Sequence, residues 1–236
     1  HHRDKPIAEE EQDTLITYKK IENGFIEKPS ISLNKDMEEK LSRFRMEASS
    51  LAKKFPNTYF TCVDATDKVV ALTFDDGPDD RATPRILDIL NEYNIPATFF
   101  VVGENIKKHP SVFKEIISSG HQIGNHSFSH IRPTDTPTKI MIDDFKKCNN
   151  LLDDVISERI KYIRPPYGLV TEDQLISLKD EGFKVIGWSI DSMDWYTKDK
   201  DKIIDCVLDA IHPGSIILMH SAGGNDNRKA TIDALP

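Results

Sequence analysis

Apolar and polar positions alternate in blocks along most of the chain, and the block lengths predict strands and helices in turn. From residue 67 onward, short apolar runs of strand length are followed by segments in which apolar residues recur every three or four positions. The predicted strands are 69–74, 97–102, 122–124, 162–163, 184–189 and 215–219, and the predicted helices lie near 81–93, 110–119, 138–157, 171–181 and 200–211. This alternation is typical of an α/β fold with parallel strands and outer helices, in an open doubly wound sheet or a closed barrel.

The first 65 residues follow a different pattern. Residues 4–32 are charged, and short alternating patches at 15–18 and 24–26 predict either a strand pair or an ordered arm. From Asn34 to Phe55, apolar residues recur at three- and four-residue spacing, which predicts an amphipathic helix. We expect residues 1–65 to form an appendage that packs on the outside of the main domain and carries no chemistry of its own.

Composition narrows the function classes. The 236 residues include 38% apolar residues, which is enough for one large domain, and the net charge of -8 argues against a nucleic-acid surface. No apolar run is long enough to span a bilayer, so any membrane anchor would lie outside this sequence. The cysteines at 62, 148 and 206 lack metal-site or disulfide spacing and are interpreted as buried apolar residues. We expect a monomer.

Two adjacent carboxylates end the first predicted strand of the main domain. Asp75 and Asp76 are followed by a Gly-Pro pair that stops the strand. Neighbouring carboxylates raise each other's pKa when they are buried, so a bound cation or a catalytic pair is one interpretation. The alternative is a solvated turn, because Asp-Asp-Gly-Pro is also a good turn sequence.

A histidine pair follows the strand at 122–124. His126 and His130 are four residues apart, and on one face of a helical turn both rings could approach a single ion. Histidines also cap helices or lie at surfaces, which is the alternative. Together with Asp76 the pair would supply two nitrogens and one oxygen, and three protein ligands with an open position are typical of catalytic zinc.

Three later strand ends also carry polar side chains. Arg164 precedes a Pro-Pro-Tyr-Gly turn, Asp191 and Asp194 follow the strand at 184–189, and His220 ends the last strand. Each has an ordinary explanation as a surface arginine, a pair of turn formers or a structural histidine. In either α/β architecture, however, the carboxyl ends of the strands meet where ligands bind, which favours a shared site.

In this order, the motifs resemble those of one family. The series Thr-Phe-Asp-Asp-Gly, His-Ser-x-x-His, Arg-Pro-Pro-Tyr, Asp-x-x-Asp-Trp and an apolar strand ending in His is similar to that of the NodB-type polysaccharide deacetylases, carbohydrate esterase family 4. The resemblance covers roughly residues 67–236. It implies a distorted (β/α) barrel of parallel strands over residues 66–236 and a divalent metal, usually zinc, that serves to remove N-acetyl groups from sugars.

The resemblance also implies roles for the residues at the predicted metal site. Asp76, His126 and His130 would be the metal ligands. Asp75 would be the base that activates the attacking water, and Arg164 would orient Asp75.

The remaining roles follow from the later motifs. The backbone N–H of Tyr167 would help to stabilise the oxyanion, and His220 would protonate the departing amine while Asp194 tunes it. The acidic and basic groups together predict a bell-shaped pH profile. By the same resemblance, the residues that contact the substrate would be Trp195, Pro166 and Ile217. At Ile217 the family commonly has Leu, and the change keeps an apolar wall for the acetyl methyl group.

The family accepts several acetylated glycans. Residues 221–226, after the proposed acid, resemble bacterial cell-wall deacetylases, so we expect N-acetylglucosamine of peptidoglycan as the substrate and a location outside the cell or at its wall. The alternatives are chitooligosaccharide deacetylation, O-acetyl esterase action on xylan, and glycan binding without catalysis. Residues 228–236 begin a helix that family members usually extend, so we expect a domain that is short at its C-terminus.

Overall fold

The computed structural model of the protein describes residues 20–236, and the predicted patch at 15–18 lies outside them. The strands are β1 Tyr59–Phe60, β2 Ala71–Asp75, β3 Thr98–Val101, β4 Gln122–Asn125, β5 Tyr162–Ile163, β6 Lys184–Ile186, β7 Ile190–Asp191 and β8 Ile216–His220. The helices are α1 Lys35–Lys54, α2 Ala82–Glu92, α3 Gly103–Lys108, α4 Pro110–Ser118, α5 Thr138–Asp153, α6 Glu172–Asp180, α7 Lys200–Leu208 and α8 Lys229–Ala234. Short 3-10 turns span Pro133–Asp135 and Pro166–Gly168.

The strands form one curled parallel sheet. Their order is β1-β6-β5-β4-β3-β2-β8-β7, and each neighbouring pair runs parallel. An antiparallel bridge between Cys62 and Ser215 joins the chain after β1 to the start of β8, so the two sides of the sheet approach each other. This arrangement confirms the predicted distorted (β/α) barrel.

The last strand separates two apolar layers. Ile217 and Met219 pack in the cluster beneath the outer helices, whereas Ile216 and Leu218 belong to a separate cluster on the opposite face. Successive side chains of a strand point to opposite faces, so β8 presents His220 on the same face as Leu218.

The N-terminal region is joined to the barrel at several points. The Asn34 side chain accepts a hydrogen bond from the first turn of α1 and caps that helix. Further along α1, Ala48 and Ala52 are buried against the barrel, and β1 pairs with β6. The segment around 24–26 forms an arm rather than a strand, held by a 2.7 Å hydrogen bond from the Glu27 N–H to the Ser189 carbonyl. Division of the chain into domains after residue 65 stays a prediction.

Two sequence-based expectations concern the chain as a whole. The three cysteines are free and buried, as predicted. Within residues 20–236, no helix combines the length and apolarity needed to cross a membrane.

Candidate active site

The carboxyl ends of the parallel strands meet at one rim of the barrel, around a cavity of about 500 Å³. Asp75 ends β2 and His220 ends β8, and the two are partners in the parallel register of these strands. Neighbouring strands lie about 4.8 Å apart, so the predicted base and the predicted acid are adjacent. Asp76, His126 and His130 line the same cavity.

The predicted metal ligands converge. Asp76 Oδ1 lies 3.2 Å from His126 Nε2 and 3.1 Å from His130 Nε2. The Nδ1 of His126 is 2.5 Å from the carbonyl oxygen of Arg164, so its N–H donates to that oxygen and Nε2 is the ring nitrogen that faces Asp76. A histidine that binds a metal is commonly held by a hydrogen bond of this kind. This donor set fits a divalent metal.

The backbone that carries the two histidines is a tight loop, so the predicted helical turn is wrong. Ser127 and His130 have positive φ values of 69° and 54°, which a helix does not allow. The Asp144 carboxylate holds the loop by accepting the N–H groups of residues 128–129, each at 3.0 Å. Both rings reach Asp76 because the loop folds back, and not because of helical periodicity.

Two carboxylates set the electrostatics of the histidine cluster. Burial alone would raise the pKa of Asp76, but hydrogen bonds from His126 and His130 hold it well below its usual range. Burial would likewise lower the pKa of His126, yet the Asp75 and Asp76 carboxylates raise it above its ordinary value. The two carboxylates therefore stabilise positive charge at the His126 ring.

Asp75 is fixed by a buried arginine. Its side chain is almost fully buried, and its Oδ1 accepts a 2.8 Å hydrogen bond from Arg164 Nη1. Arg164 is fully buried and also donates to Thr73 Oγ1 at 2.7 Å and to the carbonyl oxygens of residues 186–187 at 2.9 and 2.8 Å. The other oxygen of Asp75, Oδ2, remains 3.7 Å from His126 Nε2. One carboxylate oxygen is thus anchored while the second faces the histidine cluster.

His220 is paired with a buried carboxylate. Its Nδ1 lies 2.7 Å from Asp194 Oδ1, and its backbone N–H donates to Asp194 Oδ2 at 2.8 Å. Thr231 on α8 donates a third hydrogen bond to Asp194, at 2.9 Å. Burial alone would lower the pKa of His220, but the Asp194 carboxylate and its hydrogen bond raise this pKa to about 9. The imidazolium form is therefore favoured at neutral pH.

A tryptophan forms another part of the cavity wall. Trp195 is partly exposed, and its Nε1 donates to Asp191 Oδ2 at 3.0 Å. Asp191 also accepts the Met193 N–H at 2.8 Å. Burial raises the pKa of Asp191 to about 6, although both of these hydrogen bonds oppose the rise. Asp191 thus holds the indole ring in place at the rim.

Comparison with known proteins identifies the family. Residues 63–186 match the family model described as polysaccharide deacetylase, and this segment is just over half of the chain. A chitooligosaccharide deacetylase of Sinorhizobium fredii is 36% identical over 166 residues, which cover 70% of this chain and 77% of that protein. The chain belongs to the polysaccharide deacetylase family.

Two further relatives are named for peptidoglycan. A peptidoglycan-N-acetylglucosamine deacetylase of Bacillus cereus is 42% identical over 170 residues, which cover 70% of this chain and 60% of that protein. The chain therefore spans less than two thirds of that relative. The solved structure of the Bc1960 peptidoglycan N-acetylglucosamine deacetylase has a TM-score of 0.74 and 38% identity, and the alignment covers 78% of this chain and 86% of that one.

Two residues predicted to contact the substrate lie off the cavity wall in this polysaccharide deacetylase. Ile217 does not line the cavity, because it points into the outer apolar cluster, and its neighbour Leu218 lines the cavity instead. The prediction for Ile217 is therefore corrected. Pro166 is buried at the start of a 3-10 turn and is not among the residues that line the cavity, whereas Tyr167, with φ of 63°, lines it. A substrate contact at Pro166 stays a prediction.

The rim of this family member also holds residues that the sequence did not reveal. Thr231 bonds to Asp194 across 37 positions of chain, and no local pattern indicates such a contact. The Arg228 guanidinium lies 4.0 Å from Asp76 Oδ2 and also donates to the Ala222 carbonyl at 2.8 Å. The sequence offers one signal for Arg228: it is a basic residue shortly after the Gly223-Gly224 pair that follows His220.

Proposed function

We propose that this chain is a zinc-dependent hydrolase that removes N-acetyl groups from N-acetylglucosamine residues of peptidoglycan, outside the cell or at its wall. The observation that carries the proposal is the in-register pair of Asp75 and His220 beside the Asp76, His126 and His130 cluster. Hydrolysis of an amide needs a base for water, stabilisation of an oxyanion and an acid for a poor leaving group. The cavity holds a candidate for each.

Asp76, His126 and His130 would hold the zinc ion. Their donor atoms lie within 4.8 Å of one another, and two imidazole nitrogens with one carboxylate oxygen leave a position open in a tetrahedral site. When bound there, zinc lowers the pKa of water and polarises the acetyl carbonyl group.

Asp75 would accept the proton of the attacking water. Its Oδ1 is bound by Arg164, so Oδ2 is the oxygen available for this task. Because Arg164 is fully buried and donates hydrogen bonds from Nε, Nη1 and Nη2, the orientation of the carboxylate is set before the substrate arrives.

His220 would donate a proton to the departing amine. Its Nδ1 is held by Asp194, which leaves Nε2 as the nitrogen that can serve the substrate. The backbone N–H of Tyr167 would donate to the oxyanion, and Leu218 with Trp195 would form the apolar wall beside the acetyl group.

Replacing Asp194 by Asn is expected to move the basic limb of the pH profile of kcat/KM to lower pH, by about one to two units. The Asp194 carboxylate raises the pKa of His220, so its loss lowers that pKa and the acid loses its proton at lower pH. The profile is measured with zinc-saturated protein, and Asp88→Asn, an exposed carboxylate on α2, is the control. Bound zinc repels the His220 imidazolium in the wild-type protein and in both variants. The difference between their basic limbs therefore reports the effect of Asp194 alone. An unchanged basic limb would contradict the role of Asp194.

The substrate class is tested by acetate release from three substrates: peptidoglycan glycan strands, chitooligosaccharides and acetylated xylan. The proposal predicts release from the N-acetylated glycans, in line with the names of the Bacillus cereus and Sinorhizobium fredii relatives. Release from xylan alone would replace the proposal by an O-acetyl esterase. No release from any substrate by folded, zinc-loaded protein would favour glycan binding without catalysis.

Two further expectations, that the protein is a monomer and that it has no nucleic-acid partner, stay predictions.

A further inference from the structure

Helix α1 forms one wall of the cavity that holds the candidate active site. Met37, Lys40, Leu41 and Phe44 line this cavity. Their spacing of three and four residues places them on one face of the helix. The helix lies outside residues 63–186, the segment that matches the family model. The wall is thus a feature of this chain that the family match does not include.

The wall is held firmly against the rim. The Phe44 ring stacks on Trp188, with centroids 5.4 Å apart and an interplanar angle of 19°. Gly168, next to Tyr167, has φ of 69°, and a Cβ there would lie 2.4 Å from the Trp188 ring and 3.0 Å from Phe44. This close packing joins the helix to the loop that lines the cavity. The cavity face of α1 therefore has a defined position relative to the site.

Lys40 is the cation on this wall. It is exposed, and its ammonium group forms neither an ion pair nor a hydrogen bond within residues 20–236. The carboxylates on the other side of the cavity already have partners, since Asp75 is bound by Arg164 and Asp76 by the histidine pair. The Lys40 ammonium is therefore available to an anion that enters the cavity.

We propose that Lys40 binds a carboxylate carried by the muramic acid residue next to the N-acetylglucosamine that is deacetylated. The inference rests on the proposed function. Peptidoglycan alternates these two sugars, and each muramic acid carries a lactyl group whose carboxylate is free or is extended by a peptide that bears carboxylates. Chitin oligomers contain no carboxylate. Lys40 thus makes the cavity selective for peptidoglycan over chitin.

The test compares Lys40→Glu with Arg43→Glu in zinc-loaded protein. Arg43 is an exposed residue of the same helix that does not line the cavity, and its substitution changes the charge equally. The substrates are amidase-treated glycan strands with free lactyl carboxylates, strands with intact peptides, and chitooligosaccharides of the same length. Lys40→Glu is expected to raise KM for the carboxylate-bearing strands about five-fold, the size of an exposed ion pair, with kcat retained.

Two controls, the chitooligosaccharide substrate and the Arg43→Glu variant, show whether a rise in KM is specific to the substrate carboxylate and to Lys40. KM for chitooligosaccharides should stay within about two-fold in both variants, and Arg43→Glu should leave every KM within the same range. If KM rises only for amidase-treated strands, the lactyl group supplies the carboxylate. If KM rises only for strands with intact peptides, the peptide supplies it. An unchanged KM for both kinds, or an equal rise for chitooligosaccharides, would overturn the proposal.

Calorimetric binding of the same strands provides a measurement that does not depend on turnover. If the wild-type protein releases no acetate but Lys40→Glu still weakens strand binding about five-fold, the proposed function fails and the role of Lys40 stands. If acetate is released and binding of the strands is the same in both proteins, the role of Lys40 fails and the proposed function stands.

Discussion

Replacing Asp75 by Asn is expected to lower kcat/KM for acetate release from N-acetylglucosamine oligomers by about a thousand-fold, the scale of a lost general base. The amide cannot take up a proton from water, although it keeps the size of the carboxylate and can still accept the hydrogen bond from Arg164. Zinc affinity is expected to change far less than kcat/KM, because Asp75 does not belong to the proposed metal ligands. Acetate release and zinc binding are measured on the same preparations.

The matched control is Asp80→Asn. Asp80 is an exposed carboxylate shortly after the same strand, so the substitution removes the same charge without touching the site. Its kcat/KM should remain within about two-fold of the wild-type value. If Asp75→Asn kept more than about a tenth of the wild-type kcat/KM, the assignment of Asp75 as the base would be wrong.

Replacing Arg164 by Met is expected to lower the free energy of unfolding by about 3 kcal/mol or more. The guanidinium is fully buried, and its removal leaves the buried Asp75 carboxylate without its cation. Thr73 and two backbone carbonyls also lose a donor. Urea unfolding at neutral pH measures the change. Arg159→Met, an exposed arginine, is the control and should shift this free energy by no more than about 0.5 kcal/mol.

A double variant separates the loss of charge pairing from the loss of packing. Combining Arg164→Met with Asp75→Asn removes both charges, so no uncompensated charge stays buried. The double variant should therefore be more stable than the sum of the two single effects predicts, with a coupling energy of about 1 kcal/mol or more. Strict additivity, or a change below about 1 kcal/mol for Arg164→Met alone, would show that the buried pair does not hold the rim together.

The sequence predicts the elements well wherever local pattern decides them. The helix predicted from Asn34 to Phe55 corresponds to α1, and the predicted strand 162–163 is β5. The predicted strand 184–189 instead ends at Ile186 as β6, and a second strand, β7, begins only at Ile190. Its first part bonds to β1 through the Gly187 N–H and its last part to β8 through the Ser189 N–H, so the chain crosses between the two sides of the barrel. Such a crossing depends on partners distant in sequence.

In the candidate site, too, local sequence predicts some features and distant partners decide the others. The polar residues at strand ends could be predicted because the carboxyl ends of parallel strands meet. The face of β8 could not be predicted, because Ile217 and Leu218 are both apolar and only their partners tell them apart. Elements near either end of the chain carry the remaining rim residues, which are Lys40 on α1, Arg228 before α8 and Thr231 on α8. Their roles could not be predicted because the positions of these elements depend on packing with distant parts of the chain. The sequence therefore predicted only packing for α1, whereas the helix lines the cavity.

A zinc titration tests the central claim, metal-dependent hydrolysis at Asp76, His126 and His130, most directly. Protein stripped by a chelator is titrated with zinc, and bound zinc and acetate release from glycan strands are measured in each sample. The proposal predicts a rate that rises in proportion to bound zinc up to one ion per chain, and zinc binding weaker by roughly 100-fold in His126→Ala. Acetate release that persists without metal, or wild-type zinc affinity in His126→Ala, would contradict it.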